Sequence, residues 1–526
     1  MSNILKQPCD AGVINTKRCS TSCSRITERW VLVATILGSS MAMIDGTAVN
    51  IALPVLQQAF NATATQVQWV VESYGLFIAA LILVAASLGD RFGRRLIYAY
   101  GITLFALASG WCALSPNINQ LIVARAFQGI GAALFIPGNL AMIGAYFEFR
   151  QRRKAIITWS YLTAITSALG IFLGAWLIDN LSWRWIFFIN LPSSIVILSI
   201  LFRSVPESYE REFIRIDYWG TILATLSLGA FVFGLIESSH LGIFHPLVIA
   251  SVVFGILVLT AFIFLEANIY GPIIPLSLFK SRIFSGVNLL TLLLYAAFGG
   301  AFYFIPFNLI QIQGYSPTAA GAAFLPFILV ILLMSNSSDN LVTNYGTKLP
   351  LMVGSLITAI GFILLTIPGI GGSYWLTFFP ATIVLSLGIS ISLAPLTKTV
   401  ISGVRQRQAG TASGINNAVS CAAELLAIAV FNIFAFNAFN YSLDRRLAGL
   451  NVPSQIQQAL AKERINLAAA KIPDNISNEL KNGLEKAIAL SYVDSFRLIM
   501  FIAAVLAFAS AVVALFTIGK LQKPRF

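Results

Sequence analysis

From Trp30 onward the chain is a succession of apolar runs, most of them near twenty residues long, separated by short polar gaps. About 20 helical residues cross the ~30 Å hydrocarbon core of a bilayer. In lipid every backbone N–H and C=O needs a partner within the protein, so each run is expected to be a helix. Composition removes the soluble alternative: apolar residues make up 57% of the 526 and charged residues 10%, where soluble domains carry ~25% charged residues. Fourteen transmembrane spans are expected between residues 30 and 519, and an even count leaves both termini on one side.

Charge says which side. The gaps on the terminal side, together with the two tails, hold 23 Lys and Arg. The opposite gaps hold Arg184 alone, apart from the long segment 438–494 with seven positive and six acidic residues. Long segments count little toward orientation, so both termini are expected in the cytoplasm. The formal charge of +13 then reads as membrane orientation, and nucleic acid is not an expected partner. Cys9, Cys19 and Cys23 lie in the polar N-terminal tail at spacings that fit no common metal or disulfide framework. No nucleotide-binding loop, nucleophile triad or metal-ligand cluster is present in the sequence, so neither an enzyme activity nor a cofactor or metal is expected. His240 and His245 fall in an opposite-side gap and read as solvated.

Two nine-residue stretches organise the chain. "LGDRFGRRL" (Leu88–Leu96) lies between the second and third spans, and "LVTNYGTKL" (Leu341–Leu349) between the tenth and eleventh. Glycine, aromatic and both leucines coincide, while the aspartate and most of the positive charge are gone from the copy. If the ninth span repeats the first, the copy falls where it should. The expected fold is an all-α polytopic membrane protein of two six-helix bundles plus two inserted helices. Its parts are a cytoplasmic tail (1–29), a first bundle (30–203), an inserted pair with linkers (204–282), a second bundle (283–519) that includes the external amphipathic segment 438–494, and a short tail (520–526). Two parallel halves with a site between them near the midplane is a secondary-transporter architecture.

With those elements placed, "SLGDRFGRR" resembles the loop signature of the major facilitator superfamily, and "RAFQGIGAA" from Arg125 resembles its fourth-helix signature. "MIDGTAVNIALP" (Met43–Pro54), "WRWIFFINLP" (Trp183–Pro192), "PLSLFKSRIF" (Pro275–Phe284), "QGYSPTAAGAAFLP" (Gln313–Pro326) and "GTASGINNAVS" (Gly410–Ser420) are similar to the fourteen-helix drug:proton antiporter branch, the EmrB/QacA type. The resemblance runs from Trp30 to Lys520. It implies a secondary active transporter that exports lipophilic, often cationic small molecules against protons by alternating access. It also implies that the inserted pair is peripheral to both bundles, and that Asp90 and Arg91, with Gly93 and Arg94, form a gating loop bracing the halves while the protein faces outward. On the fifth span the branch usually shows Gly-Pro and then Gly-Gly; here stand Gly170-Ile171 and Gly174-Ala175, which keep a face for close helix packing, as does Gly129 on the fourth.

An Asp, Lys or Arg at mid-helix in a membrane costs about 2.5–3.5 kcal/mol on insertion scales, so each one is a functional candidate. Asp45 on the first span, Glu72 on the second and Arg125 on the fourth all fall in the half of the bilayer away from the termini. An Asp45–Arg125 pair with Glu72 close by suits proton coupling or cargo binding; the plainer reading is that Asp45 and Arg125 pair to hold two helices together. Glu424 on the thirteenth span stands where the branch tends to have glycine, and Cys421 where it tends to have arginine. Glu424 is a second proton or cation site, or it is neutral and bonded to the asparagines of its own helix. The expected partners are a small-molecule substrate and the lipid bilayer, the protons being coupling ions, and the expected location is a bacterial inner membrane. Docking of a periplasmic adaptor stays open. The competing readings are a dedicated exporter or importer of one metabolite and a non-transporting receptor or scaffold.

Overall fold

The computed structural model describes residues 25–147, 149–208, 217–269, 272, 274–405, 408–450, 452–473 and 476–519. The three tail cysteines and 520–526 lie outside them, as does the side chain of His240. Among the described residues every regular element is helical. The first half holds α1 (Arg25–Phe60), α2 (Ala64–Phe92), α3 (Arg94–Leu114), α4 (Ile118–Tyr146), α5 (Phe149–Asn180) and α6 (Trp185–Ser204). Next come α7 (Tyr218–Leu241) and α8 (Pro246–Asn268). The second half holds α9 (Arg282–Phe307), α10 (Pro317–Ala323, resuming as Leu325–Tyr345), α11 (Lys348–Leu364), α12 (Phe378–Ser402) and α13 (Ala409–Leu447). A short α14 (Ser454–Glu463) and a 3-10 turn (Arg464–Ala469) precede α15 (Asn478–Thr517).

Twelve helices are long and apolar enough to cross a bilayer, and α2, bent by 54° near residue 83, makes a thirteenth crossing. The expected fourteenth, α11, has 17 residues. At ~1.5 Å per residue it spans about 25 Å, short of the ~30 Å core. It stops at Leu364 because Pro368, Gly369, Gly371 and Gly372 follow, the last two with φ of 80° and 96°. The described residues thus hold thirteen long crossings and one shorter apolar helix at the fourteenth expected place.

The two halves meet tightly at the end away from the termini. Gln311 on the turn after α9 donates to Gln57 of α1 (2.9 Å). The Thr318 N–H of α10 donates to Asp179 of α5 (2.8 Å). Leu53, Leu56 and Val67 share one continuous core with Phe304, Phe307 and Tyr492, whereas Val31, Tyr98 and Phe135 near the terminal end form a separate core of the first half. The molecule is thus closed at this distal end.

Two expectations need correction. The inserted pair is not wholly peripheral. α7 packs into the seam between halves, with Val232 and Ile236 against Ala79 of α2 and Leu425 and Ala429 of α13, and Trp69 of α2 donates its indole N–H to Glu237 of α7 (3.1 Å). Glu237, an acid in an apolar run, thus finds a donor at the seam; only α8 lies on the far side. Within the external segment, the run "SQIQQALAKERINLAAAKI", whose pattern predicts one amphipathic helix, is not one helix either. It breaks at Arg464, where Arg464 pairs with Asp444 (2.5 Å), and Leu467 takes a φ of 52° to fold over the distal mouth.

Candidate functional site

Asp45 is completely buried, and its carboxylate collects donors from two other helices. Arg125 of α4 donates to Oδ2 at 2.6 Å, and Gln128, one turn on, donates to Oδ1 at 2.8 Å. Asn190 of α6 donates to the same Oδ1 at 3.1 Å. The donors are themselves engaged elsewhere. Arg125 also donates to the Gln128 carbonyl (2.7 Å) and to the Val70 carbonyl of α2 (3.2 Å). Gln128 and Asn190 both donate to Ser109 of α3 (2.8 and 3.3 Å). Tyr74 of α2 lies under the guanidinium, 4.1 Å from Cζ to ring centre. Five helices of the first half converge on one closed network. A buried ion pair resists separation only when its remaining lone pairs and protons are also satisfied, which is the case here.

The glycines let the backbones come this near. A Cβ on Gly129 would overlap the Tyr74 carbonyl, one on Gly170 would stand 2.8 Å from Ile44 Cα, and one on Gly174 would overlap Ala48. The helix 4–helix 2 contact and the helix 5–helix 1 contact on either side of Asp45 are therefore set by small residues.

Glu72 does not join this network. On α2, Val70 and Tyr74 face Arg125, and residue 72 points the other way, toward the second half. It is fully buried. Its Oε1 has only a 3.5 Å contact from Gln68, and its Oε2 has no hydrogen-bond partner. The Tyr303 hydroxyl of α9 lies within electrostatic reach of Glu72 and beside Asn432 of α13. Asn432 is 4% exposed, and its Nδ2 is likewise unpaired.

Glu424 of α13 sits one helical step from the same seam, half-buried, with its side chain laid against Gly299 of α9: a Cβ there would meet it at 2.7 Å. Tyr295 and Cys421 lie within electrostatic reach of it. The asparagine face of its own helix does not bind it. Asn416 instead donates to Asn288 (3.1 Å) and Thr291 (2.8 Å) of α9. On α9, Tyr295, Phe298, Gly299 and Phe302 form a half-open face, with the Phe298 and Phe302 rings stacked 4.0 Å apart. An acid beside an aromatic wall is a chemistry that takes a lipophilic cation.

At the terminal end the charged loop is tied into its own half. Asp90 pairs with Arg94 at 2.7 Å, across the turn that Gly93 makes with a φ of 115°. Glu207, in the linker after α6, accepts from the backbone N–H groups of Arg95 (3.0 Å) and Leu96 (3.1 Å), capping the start of α3. Its carboxylate lies where a Cβ on residue 93 would stand, so only glycine fits that turn. Arg91 is exposed. In the copy, Gly346 keeps the turn (φ 76°).

Sequence reasoning placed Asp45 with Arg125 but set Glu72 beside them. It missed Gln128, Asn190, Ser109 and Glu207. Gln128 carried a usable signal, since it stands three residues after Arg125 on one helical face.

Comparison with known proteins follows the geometry. The Major Facilitator Superfamily profile matches residues 35–428. The chain is 30% identical over 446 residues to the multidrug resistance protein Stp of Mycobacterium tuberculosis, covering 84% of this chain and 81% of that protein. It is 33% identical over 415 residues to the puromycin resistance protein pur8 of Streptomyces alboniger, covering 78% and 82%. The crystal structure of a bacterial homolog of the human lysosomal transporter Spinster, inward-facing and unoccupied, is similar with a TM-score of 0.64 at 16% identity, covering 94% and 98%. At that identity the likeness is one of fold.

Proposed function

Because the chain belongs to the major facilitator superfamily, and within it to the drug-efflux branch, we propose that it exports lipophilic or cationic small molecules in exchange for protons, through a site between its two halves. It is a multi-pass membrane transporter and not an enzyme. The proposed setting is a bacterial inner membrane with both termini in the cytoplasm, in keeping with the 23 Lys and Arg on the terminal side.

The observation that carries proton coupling is Glu72, a carboxylate sealed at the seam with one oxygen unpaired. A buried carboxylate without a cationic partner favours its protonated form, and a cation brought beside it favours the ionised one. Proton and cationic cargo then compete for the same charge, which is what makes one leave as the other binds. Glu424, beside the aromatic face of α9, supplies a second such acid nearer the cargo. Asp45 has a different part. With its lone pairs taken by Arg125, Gln128 and Asn190, it holds the first half together as a rigid body that can rock against the second.

The test is efflux from proteoliposomes under an imposed pH gradient, run across a panel of cationic dyes. Several dyes are expected to leave at rates that follow the gradient. Proton movement indifferent to every dye would replace this reading with a dedicated carrier of one metabolite.

A further inference from the structure

Beneath Leu467 at the distal mouth lies a cavity of about 250 Å³, counting the space open to its entrance. Gln57, Tyr303, Gln311, Asn432 and Asn466 line it among apolar walls. It is roofed by the external turn: Gln57 donates to the Asn466 carbonyl (3.2 Å), and Gln311 donates to Gln57 (2.9 Å). Three polar atoms of its wall have no partner, namely Gln311 Oε1, Asn432 Nδ2 and Asn466 Oδ1. Glu72 Oε2, also unpaired, lies within electrostatic reach of Tyr303, which lines the cavity. Three unpaired buried polar atoms around one small space is a concentration that native proteins resolve with water or a ligand. The space suits water rather than a drug: it is narrow, and its donors and acceptors alternate. Asn432 Nδ2 offers a donor, and Gln311 Oε1 and Asn466 Oδ1 offer acceptors, so water in this space accepts from the first and donates to the others.

A path leads inward from this cavity. Ala64 forms part of its wall. Gln68 and Glu72 follow at one-turn intervals on the same face of α2, joined by the 3.5 Å contact. The ionisable groups on the elements packed around Glu72 are Tyr295 and Tyr303 on α9, Cys421 and Glu424 on α13, and Glu237 on α7, whose carboxylate is engaged by Trp69. Arg125 is turned away, toward Asp45. No cation among these groups holds Glu72 ionised.

We infer that the polar cavity under Leu467 is the outer proton port, a hydrated site whose water passes protons between the external side and Glu72. In the loading direction a water gives a proton to the Glu72 carboxylate oxygen and regains one from an external hydronium ion, which becomes water; on release the transfers reverse, and no other reactant is needed. The external turn, reaching Gln57 and Asn61 of the first half through Asn466 and Lys471 (3.2 and 2.6 Å), sets how wide the port stands. This inference rests on the reading of Glu72 as the coupling acid.

The experiment compares wild type, Asn432→Leu and Glu72→Gln in proteoliposomes. Each is assayed for efflux driven by an acid exterior and for dye-for-dye exchange without a gradient. Asn432→Leu is expected to slow gradient-driven efflux about tenfold and to leave exchange unchanged, while Glu72→Gln abolishes the drive. The conservative Asn432→Gln, which keeps a donor, is expected to restore most of the rate. Wild-type driven efflux in Asn432→Leu overturns the port, and so does loss of both activities, which makes Asn432 a packing residue. Full gradient drive in Glu72→Gln removes Glu72 from coupling and takes the port with it.

Discussion

Asp45 and Glu72 are both acids in the membrane, both fully buried, on neighbouring helices of the same half. Asp45 accepts from three side chains on two helices; Glu72 has one long contact and a free oxygen. The difference lies in which way each helix face points. Asp45 looks into its own bundle, where α4 and α6 bring donors, backed by Ser109 of α3, that never need to move apart. Glu72 looks across the seam to α9 and α13, surfaces that must separate during alternating access. A fully bonded acid there would weld the halves together. Under the proposed exchange, what marks a candidate coupling carboxylate is then its lack of partners and not its burial alone.

The largest effect is expected at the bonded acid. Arg125→Ala leaves the Asp45 charge buried and unpaired, a loss of roughly 3–5 kcal/mol by the behaviour of buried pairs. The thermal unfolding midpoint in detergent should fall sharply, and the yield of inserted protein with it. Asp45→Asn turns an acceptor into a donor in a network already full of donors. At matched protein level it should abolish proton-driven efflux by loosening the first half, with a measurable loss of midpoint. Glu72→Gln, by contrast, should leave the midpoint within about 1 kcal/mol of wild type, since it removes no strong bond. Equal destabilisation by Arg125→Ala and Glu72→Gln would collapse the distinction between the two acids.

Glu424 extends the comparison to the second half, where the counterpart of the Asp45 network is neutral: Asn416 with Asn288 and Thr291. Glu424→Gln is expected to flatten the pH dependence of efflux of cationic dyes several-fold while sparing uncharged cargo. Identical pH profiles for mutant and wild type would leave Glu424 with a packing role against Gly299.

The sequence made some of this legible and not the rest, for physical reasons. Helices in lipid announce themselves by length and apolarity, so the two halves and the inserted pair could be read directly. Asp45 and Arg125 stood out because a charge in an apolar run is expensive. Asn190 and Ser109 are cheap to bury once bonded, so nothing in their immediate neighbours flags them, and their network partners lie on other helices; Gln128 alone had a visible partner, Arg125 on its own helix. Glu207 is an ordinary acid in an ordinary linker until the fold sets it on Gly93. The inward placement of α7 rests on contacts between distant residues, Val232 and Ile236 with Leu425 and Ala429, and Trp69 with Glu237, 168 positions apart. α11 ended early because Pro368 and its following glycines, inside the expected run, outweighed the apolar pattern.

The smallest expected effect tests whether the held-versus-free distinction reaches the loops. Asp90 and Arg94 pair at 2.7 Å, and Arg95 with Glu207 at 3.5 Å ties the same turn to the linker after α6. The pairs are only partly shielded, so breaking one is worth at most about 1 kcal/mol. Asp90→Asn should therefore barely shift the unfolding midpoint. It should still slow efflux several-fold, because Arg94 loses the carboxylate that fixes the turn between α2 and α3, two helices of the half that rocks. Thr343→Ala, in the copy at Leu341–Leu349, removes no charge and should change efflux by less than about twofold. Measured side by side in one vesicle preparation, equal slowing by the two variants would mean that the turn geometry, shared by Gly93 and Gly346, matters and the charge does not.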